Sequence, residues 1–456
     1  MCAQKKQNSP VLDHQVDGDI ICNNRQPQIS IRITDKSKLN EAVVSVVGLG
    51  YVGWPLATAF SRNLSVVGFD INSSKINELY QHNHNQSLIL TDNPEELGTA
   101  DFIIIAVPTP VTKSKEPDLS FVKKAAEIVG RRLKINSTVI LESTVYPGVT
   151  EEVVKPILEE ESGLVCGVDF KIAYSPERIN PGDEEHAISR ITKVVAGMDE
   201  ATTDLVAELY LRITPHVFKA RDIRTAEAAK VIENIQRDLN IALMNELAVI
   251  FEKANLSTKD VLNAAATKWN FHRYSPGLVG GHCIPIDPYY MVFKAKELGY
   301  QPEVILAGRA INDHMSKHVA EMTIKALNNV GKVIKGSKVL IMGLAYKEDV
   351  ADVRETPVKE IIKELEGYKV EMVAFDPLLN IDYFQDQFKI KLLRNLEEVR
   401  SIKVDCIILT TPHSMFRKLS LEDLRGLQNG NPILVDVRGI FDIEQAEQAG
   451  FQYITL

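Results

Sequence analysis

The sequence has few cysteines and none arranged in pairs. The five cysteines, at positions 2, 22, 166, 283 and 406, are odd in number, widely spaced and without a C-x-x-C pattern. This distribution excludes a disulfide scaffold and a cysteine-rich metal site, and the ten histidines add no recognisable ligand cluster. We therefore expect a reduced, cytoplasmic protein that holds no metal ion.

An excess of positive charge and long apolar runs are also lacking. The formal net charge is −9, so the chain has no overall positive field to attract nucleic acid or an anionic membrane. The N-terminal residues lack the apolar core of a signal peptide, and no run of about 18 apolar residues occurs anywhere. We expect a soluble, unexported protein that binds neither nucleic acid nor membrane.

Apolar runs that alternate with amphipathic stretches predict an α/β protein. From Ala42, AVVSVVGLG, YVGWPLATAFSRN and SVVGFD form a βαβ pattern, and DFIIIAVPTP, STVILESTV and FKIAYSPER predict further strands. A second alternating region begins near Lys335 and contains SKVLIMGLAY, KVEMVAFDP, VDCIILTTPH and PILVDVRGIFD. Between the two regions, residues 226–255 lack Gly and Pro and predict a helix of ~30 residues, long enough to connect two domains.

These patterns divide the 456 residues into four parts. Residues 1–41 are polar and aperiodic and predict an extension with little fixed structure. Residues 42–220 and 331–456 predict two Rossmann-like domains with doubly wound parallel sheets, and residues 221–330 predict a central helical domain containing the long connecting helix. The second sheet does not repeat the glycine motif of the first.

The glycine motif after the first strand is typical of a dinucleotide site. Gly48, Gly50 and Gly53 follow the strand and open a helix, where they allow a tight turn and close approach of a pyrophosphate. Asp70 ends the next strand 20 residues after Gly50, in position to accept hydrogen bonds from the adenosine ribose. A carboxylate there repels a 2′-phosphate, so the motif favours NAD over NADP. Alternatively, the glycines only permit a tight turn.

The loop GLVGGHCIPIDPYY combines a thiol with a glycine-rich segment and a helix start. Cys283 follows Gly280 and Gly281 and lies just ahead of a predicted helix N-terminus, whose positive potential favours a thiolate. A buried hydrophobic role is the alternative for Cys283, and it is the expected role of Cys166 and Cys406.

Asp287 and His282 flank this thiol. Asp287 precedes a proline and is predicted to be the helix N-cap, with a catalytic role as an equal alternative. His282 is next to the thiol, and we interpret it as a packing residue.

Three pairs of polar residues occupy positions where α/β proteins bind ligands. One pair lies on one face of the long helix, one follows a strand of the first domain, and one flanks the first turn of the second sheet. Each pair also has an alternative role without ligand binding. The pair on the long helix is then part of a solvated face, the pair after the strand belongs to a polar turn, and the pair at the second sheet is ordinary surface charge. The pairs are Lys230 with Asn234, Glu177 with Arg178, and Lys347 with Arg354.

A set of motifs occurs in a fixed order from about Ala42 to the C-terminus. These are GLGYVG, VPTP, ESTVYPG, SPERINPG, AAKVIENIQRDLN, KWNF, PGLVGGHCIPIDPYY, GLAYKED and RETP. In this order they resemble the UDP-glucose/GDP-mannose dehydrogenase family. The resemblance implies an N-terminal NAD-binding domain, a central helical domain with a catalytic lysine and cysteine loop, and a C-terminal domain that binds a UDP-sugar. The N-terminal extension of about 40 residues departs from the family pattern.

The resemblance also implies a role for each matching residue. Cys283 resembles the nucleophile that captures the sugar aldehyde as a thiohemiacetal, which a second oxidation converts to a thioester. Lys230 and Asn234 would stabilise the alkoxide-like oxygen. Asp287 would assist proton transfer, and Glu177 with Thr144 would position or activate water.

Further residues are implied near the two ligands. Those near NAD are Gly48, Gly50, Tyr51, Val52, Gly53, Asp70, Lys75, Thr109, Thr144 and Arg354. Those near the UDP-sugar are Glu177, Arg178, Lys230, Asn234, Arg273, Tyr274, Gly280 and Lys347.

Within the family the loops are most similar to the branch that oxidises UDP-N-acetylglucosamine or its galacto epimer for surface polysaccharides. Enzymes for UDP-N-acetylmannosamine and UDP-glucose resemble it less. Two other hypotheses are a two-electron hydroxyacid-type dehydrogenase, which needs no thiol, and a non-catalytic nucleotide-sugar sensor. The long apolar helix and the resemblance favour a homodimer or a larger even assembly.

Overall fold

The computed structural model describes residues 20–22, 38–178, 188–380 and 387–456. These residues form two compact units. The first unit consists of Met1–Pro108 and Ser120–Ala228, and the second of Thr109–Leu119 and Ala229–Leu456. The boundary near residue 228 falls inside the predicted long helix, close to the predicted domain boundary at 220. The three-domain division itself stays a prediction.

The first unit is built on a nine-stranded sheet among the residues described. In chain order its strands are β1 Ile20–Cys22, β2 Val43–Val47, β3 Ser65–Phe69, β4 Leu88–Thr91, β5 Phe102–Ile105, β6 Thr138–Leu141, β7 Lys171–Tyr174, β8 Thr192–Gly197 and β9 His216–Lys219. Its helices are α1 Gly53–Phe60, α2 Ser73–His82, α3 Ser120–Gly130, α4 Lys155–Ser162, which continues a π-helical turn at Thr150–Val154, and α5 Glu200–Tyr210. Short 3₁₀ turns occur at Lys38–Asn40 and Pro94–Thr99.

Strand order explains where this unit can bind a ligand. Six parallel strands run in the spatial order β4-β3-β2-β5-β6-β7, which is the 3-2-1-4-5-6 order of dinucleotide-binding domains. Strands β2, β5 and β6 are almost wholly buried, as continuous apolar runs predict for strands covered on both faces. The strand order reverses between β2 and β5, because successive strands are added on one side of β2 and then on the other, so the crevice at their carboxyl ends is the expected ligand position.

In the part of the second unit that is described, a six-stranded parallel sheet is accompanied by two long helices. The strands are β10 Lys338–Met342, β11 Glu371–Phe375, β12 Lys391–Leu392, β13 Cys406–Leu409, β14 Ile433–Asp436 and β15 Gln452–Thr455, in the order β12-β11-β10-β13-β14-β15. The helices are α6 Ile223–Lys253, which begins in the first unit, α7 Thr258–Ala265, α8 Asp287–Glu297, α9 Glu303–Asn329, α10 Val358–Gly367, α11 Leu396–Ile402, α12 Leu421–Arg425 and α13 Ile443–Gln448, with a 3₁₀ turn at Phe416–Lys418. This sheet has the same 3-2-1-4-5-6 order as the first.

The predicted α/β class with two Rossmann-like sheets and one long helix is confirmed. Helix α6 has 31 residues, close to the predicted length. The predicted extension is described only in part: Ile20–Cys22 pairs antiparallel with His216–Phe218, and residues 1–19 and 23–37 lie outside the described residues. In the part of the chain that is described, no helix combines the length and apolar content that crossing a bilayer requires.

Candidate active site

The glycine turn of the first unit has the geometry that the motif predicts. Gly48 has φ +93°, a conformation that favours glycine, and a Cβ on Gly53 would lie 1.8 Å from the Gly48 carbonyl oxygen. A Cβ on Gly50, by contrast, would meet no atom within 4 Å. Gly48 and Gly53 therefore permit the turn and the close helix contact, while Gly50 faces open space where a pyrophosphate can approach the backbone. These residues fit a dinucleotide.

Asp70 lies at the end of β3 and holds the same turn. Its carboxylate accepts hydrogen bonds from the Leu49 N–H at 3.0 Å, the Asn72 N–H at 3.0 Å and the Lys75 ammonium at 2.8 Å. Burial raises the pKa of Asp70, but Lys75 and the two N–H groups outweigh burial and keep the pKa below its ordinary value. Asp70 is therefore an ionised acceptor at neutral pH, as ribose binding requires. Tyr51 is half exposed beside the turn.

The second sheet has a turn of the same geometry, but there the aspartate contacts a histidine instead of a lysine. Gly343 has φ +90°, and the carboxylate of Asp376, directly after β11, accepts the Leu344 N–H at 2.7 Å and the Ala345 N–H at 3.1 Å. The imidazole of His413, which is 1% exposed, lies 3.1 Å from the same Asp376 oxygen. Only the first glycine of the motif recurs, so sequence comparison of the two turns missed their common geometry.

A buried polar cluster in the second unit joins three of the predicted catalytic residues. Asn234 donates to the Asp287 carboxylate at 2.5 Å, and the Lys230 ammonium lies 3.6 Å from the same oxygen. Asp287 is 2% exposed, and Lys230 and Asn234 are each 7% exposed. Burial raises the pKa of Asp287 although Lys230 and Asn234 oppose the rise. The cluster therefore offers a carboxyl group able to exchange a proton beside two hydrogen-bond donors.

The prediction that Asp287 is the N-cap of its helix is wrong. Helix α8 begins at Asp287 itself, Ile286 is the N-cap, and no side chain caps this end. The solvated-face alternative for Lys230 and Asn234 is also excluded, because both side chains are buried. The Asp287 carboxylate contacts Lys230 and Asn234 of α6 instead of backbone N–H groups of its own helix.

Cys283 lies on the same turn as Asp287. Its carbonyl oxygen accepts the Asp287 N–H at 2.8 Å and the Ile286 N–H at 3.1 Å, and the residue is exposed. The thiol is therefore accessible and four residues from the buried carboxylate. Cys406 is fully buried, as predicted for a packing cysteine, whereas Cys166 is only partly buried.

The glycines before Cys283 are packed against another loop of the second unit. Gly281 has φ +88°, and a Cβ there would lie 2.7 Å from the Tyr346 ring. A Cβ on Gly280 would lie 2.6 Å from Pro357 and 2.9 Å from the Glu355 carbonyl. The Gly281 N–H donates to that carbonyl at 3.2 Å. The thiol loop is thereby fixed to the segment that contains Lys347 and Arg354.

Two long helices hold the other end of the thiol loop. The Asn245 side chain donates to the Gly277 carbonyl at 3.0 Å and accepts the Gly277 N–H at 2.8 Å. Asn245 also donates to Asn312 of α9 at 2.8 Å, and Asn312 in turn donates to Asp238 at 2.7 Å. Sequence reasoning missed this network, because an asparagine in a long helix gives no signal of a distant partner.

In the first unit, Glu177 and Arg178 lie three and four residues after the end of β7. Glu177 is 9% exposed, and its carboxylate accepts the Arg178 N–H at 2.6 Å. The Arg178 guanidinium donates to the Thr192 carbonyl at 2.8 Å. Thr144 is half-buried and follows β6, the strand paired with β7. Glu177 and Thr144 therefore lie at the carboxyl ends of neighbouring parallel strands.

The remaining predicted residues are less constrained. Arg273 is exposed and donates to Asn263 at 2.7 Å, and Tyr274, Thr109 and Lys347 are half-buried. Arg354 forms a two-pronged ion pair with Asp352 at 2.9 and 2.7 Å, with nearly half of its side chain exposed. Within the described ranges no group of three potential metal-ligating side chains is found.

Family models match the chain in three consecutive stretches. The NAD binding domain of the UDP-glucose/GDP-mannose dehydrogenase family matches residues 78–214, the central domain of that family matches 224–314 and its UDP binding domain matches 340–443. Together these stretches cover well over half of the chain.

Individual relatives are similar over most of their length. Protein CapL of Staphylococcus aureus is 46% identical over 415 residues, which cover 88% of this chain and 97% of CapL. The UDP-N-acetyl-D-glucosamine 6-dehydrogenase of Pseudomonas aeruginosa is 44% identical over 422 residues, which cover 90% and 99% of the two chains. The solved structure of the UDP-D-ManNAc dehydrogenase from Pyrococcus horikoshii has a TM-score of 0.82 at 29% identity and covers 91% of this chain and 98% of its own.

Proposed function

Because the chain belongs to the UDP-glucose/GDP-mannose dehydrogenase family, we propose that it oxidises the C6 alcohol of a UDP-N-acetylhexosamine to the carboxylate. Membership makes it an NAD-dependent nucleotide-sugar dehydrogenase with a UDP-sugar substrate. The proposal adds the sugar, the four-electron outcome and a covalent step on Cys283. The observation that carries it is the buried cluster that Asp287, on the turn that presents this thiol, forms with Lys230 and Asn234 of α6.

NAD, when bound, accepts one hydride from C6 in each oxidation. Its binding residues are proposed to be the glycine turn with Tyr51 and Val52, together with Asp70, Lys75, Thr109, Thr144 and Arg354. The open space around the Cβ position of Gly50 and the ionised carboxylate of Asp70 support this assignment for the first unit.

In the first oxidation the C6 hydroxyl loses a proton and a hydride to give an aldehyde. Lys230 and Asn234 donate hydrogen bonds to the oxygen as negative charge develops on it, which lowers the barrier most effectively in a site removed from water. Asp287 accepts the proton, because its raised pKa brings the carboxyl nearer to neutral pH. All three side chains are buried, so these contacts are preorganised.

In the second oxidation the Cys283 thiolate adds to the aldehyde carbon and the aldehyde oxygen takes up a proton, and the resulting thiohemiacetal loses its hydroxyl proton and a hydride to become a thioester. Water then attacks the thioester carbon, the C–S bond breaks, and the thiol and the uronate are released. Glu177 and Thr144 are proposed to orient and deprotonate that water. Per sugar, the sum is one water and two NAD consumed, and two NADH formed.

UDP-N-acetylglucosamine is the proposed substrate. Support comes from the relatives at 42% and 44% identity that are UDP-N-acetyl-D-glucosamine 6-dehydrogenases. UDP-N-acetylmannosamine dehydrogenases are 29–32% identical, and UDP-N-acetylmannosamine and UDP-glucose are the alternatives. Glu177, Arg178, Arg273, Tyr274, Gly280 and Lys347 complete the proposed substrate-binding set. The uronate product would serve as a precursor of surface polysaccharide.

A substrate panel tests the choice of sugar. The purified enzyme is incubated with NAD and, in parallel, with UDP-N-acetylglucosamine, UDP-N-acetylgalactosamine, UDP-N-acetylmannosamine and UDP-glucose. We expect the highest kcat/KM with UDP-N-acetylglucosamine and a product whose mass is that of its uronate. A higher kcat/KM with UDP-N-acetylgalactosamine, UDP-N-acetylmannosamine or UDP-glucose would replace the proposed sugar and leave the reaction class unchanged.

We further propose that the enzyme is a homodimer formed through α6. Three apolar side chains of this helix, Ile232, Leu243 and Ile250, are between 50% and 60% exposed. Apolar side chains in a row on one helix stabilise a protein when a second helix covers them. A copy of the same helix, packed about a two-fold axis, would cover all three.

A further inference from the structure

A buried ion pair connects the two segments of the first unit that carry Thr144 and Glu177. The Lys193 ammonium of β8 contacts the carboxylate of Glu142, and both side chains are 0% exposed. The same ammonium donates to the Pro176 carbonyl at 2.7 Å. Glu142 precedes Thr144 by two residues, and Pro176 directly precedes Glu177. One ammonium therefore fixes the start of both segments.

Tyr210 of α5 completes this cluster. Its hydroxyl donates to the Glu142 carboxylate, and its ring centroid lies 5.1 Å from the Lys193 nitrogen. Burial and the charge of Glu142 raise the pKa of Tyr210 well above its ordinary value, so the hydroxyl remains a donor. The charge of Glu177 also raises the pKa of both Glu142 and Tyr210, which brings the Glu177 carboxylate within electrostatic reach of the cluster.

Stability alone is a weak reason for this arrangement. Removing two charges completely from water is costly, and replacing a buried ion pair by apolar residues is often neutral or stabilising. Lys171 of the adjacent strand shows the ordinary alternative, because its ion pair with Asp199 is 35% and 43% exposed. The buried pair therefore calls for a role that an apolar pair would not fulfil.

We propose that Lys193 is a positioning residue for thioester hydrolysis. By pairing with Glu142 and holding the Pro176 carbonyl, it keeps Thr144 and Glu177 in the geometry that activates water. The inference rests on the proposed function. In the step concerned, Glu177 accepts a proton from water, the water oxygen bonds to the thioester carbon, the C–S bond breaks, and the proton returns to the leaving sulfur. Lys193 touches none of the reacting atoms.

The test separates acylation from hydrolysis. Lys193→Met and the double variant Glu142→Gln with Lys193→Met are compared with the wild type in single-turnover mixing with UDP-N-acetylglucosamine and NAD. NADH absorbance follows the two oxidations, and intact mass after acid quench follows the acyl group on Cys283. Lys171→Met is the matched control, because it removes an ammonium that also donates to a carbonyl, that of Gly167 at 2.9 Å.

We expect both Lys193 variants to form two NADH per site at near the wild-type rate and then to release product at least tenfold more slowly. The acyl-enzyme should accumulate, and the pH dependence of its hydrolysis should change in Lys193→Met, because the Glu142 carboxylate loses its cation. NAD affinity should not change. The double variant should melt near the wild-type Tm, since no unpaired charge remains, and Lys171→Met should hydrolyse the acyl group at the wild-type rate.

Hydrolysis at the wild-type rate in a folded Lys193 variant would overturn the inference. So would loss of folding in both the single and the double variant, because the pair would then be purely structural. Absence of any acyl adduct in the wild type and in Glu177→Gln would instead overturn the covalent mechanism on which the inference rests, and the two failures are distinguishable by mass.

Discussion

At the scale of single residues, Asp70 and Asp376 show how neighbours decide whether a carboxylate is available to a ligand. Asp70 directly follows β3, Asp376 directly follows β11, and each accepts backbone N–H groups from the glycine turn of its own sheet. The further partner of Asp70 is Lys75, whose side chain is 34% exposed, whereas Asp376 contacts His413, which is 1% exposed. Because the Lys75 side chain is partly exposed, it can adjust its position when a ribose hydroxyl approaches Asp70. The imidazole of His413 is buried and cannot move aside in this way at Asp376.

Asp70→Ala should weaken NAD binding. Hydrogen bonds to a charged group contribute ~1.5–3 kcal/mol, so the Kd for NAD should rise by roughly 10- to 100-fold. Calorimetric titration with NAD measures it. Asp376→Ala, the corresponding change in the second sheet, should leave the Kd within about twofold. An unchanged Kd in folded Asp70→Ala would remove Asp70 from the cofactor site.

Asp287→Asn should slow the first oxidation and change its pH dependence. The loss of a general base costs typically 10²–10⁴-fold in rate. Burial raises the pKa of Asp287, so the acidic limb of the wild-type rate should lie above the ordinary aspartate value of ~3.9. Activity is lost as pH falls through that limb, because the protonated carboxyl cannot accept a proton.

The acidic limb of the pH–rate profile is measured from the rate at which the first NADH forms in single turnovers between pH 4 and 9. It should be absent from Asp287→Asn and retained in Asp313→Asn, which removes a half-exposed carboxylate of the same unit. Persistence of the limb in Asp287→Asn would assign it to another group.

At the scale of elements, α6 positions both ends of the thiol loop. Asn245 binds the backbone of Gly277 at the start of the loop, and Asn234 binds Asp287 at its end. At 1.5 Å per residue, these asparagines are ~16 Å apart along one rigid helix. The loop is thus stretched between two fixed points and packed on Tyr346 between them.

Gly281→Ala should disable the loop without unfolding the unit. The methyl group meets the Tyr346 ring at 2.7 Å in a backbone conformation with φ +88°, so the loop must move. We expect kcat to fall more than tenfold, with NAD affinity kept. Gly299→Ala is the control, since Gly299 has φ +76° but open space around its Cβ position. It should cost ~1 kcal/mol of stability and little activity. Similar kcat values for the two variants would show that loop geometry does not matter.

The sequence predicts those elements whose signal is local. Continuous apolar runs identify the central strands, and a stretch without Gly or Pro identifies α6. The edge strands Leu88–Thr91 and Gln452–Thr455 were missed, because four residues are too few to establish a strand pattern. Edge strands need little apolar content, since one side and part of their faces remain in water.

For the candidate site, the sequence predicts a set of residues but not the contacts between them. Asp287 next to a proline gives the local signal of a helix cap, and only the fold shows its partner Asn234, 53 residues away. Lys193 in TKVVAG resembles the exposed start of a strand, yet its partner Glu142 is 51 residues away and both are buried. Pairing over such distances is decided by tertiary packing.

At the scale of the whole molecule, two sheets whose six parallel strands share one spatial order differ at their first turns. The first turn keeps all three glycines and a carboxylate paired with the partly exposed Lys75, while the second keeps one glycine and a carboxylate that contacts the buried His413. This difference explains why only the first sheet fits a dinucleotide. The family models likewise place NAD binding in the first region and UDP binding in the last.

The proposed dimer makes a prediction for the assembled protein. Leu243→Glu places a charge among the exposed apolar side chains of α6 and should shift the protein from dimer to monomer in sedimentation velocity at micromolar concentration. Leu298→Glu, at a site 75% exposed beyond the end of α8, should leave the dimer intact. A wild type that sediments as a monomer would contradict the proposed assembly.

The measurement that tests the central claim most directly is the number of NADH molecules formed per UDP-N-acetylglucosamine consumed. Limiting sugar and excess NAD are incubated to completion, NADH is measured by absorbance, and the sugar product by mass. We predict two NADH and the uronate. One NADH together with an accumulating aldehyde would contradict the account, because Cys283 would then form no thioester.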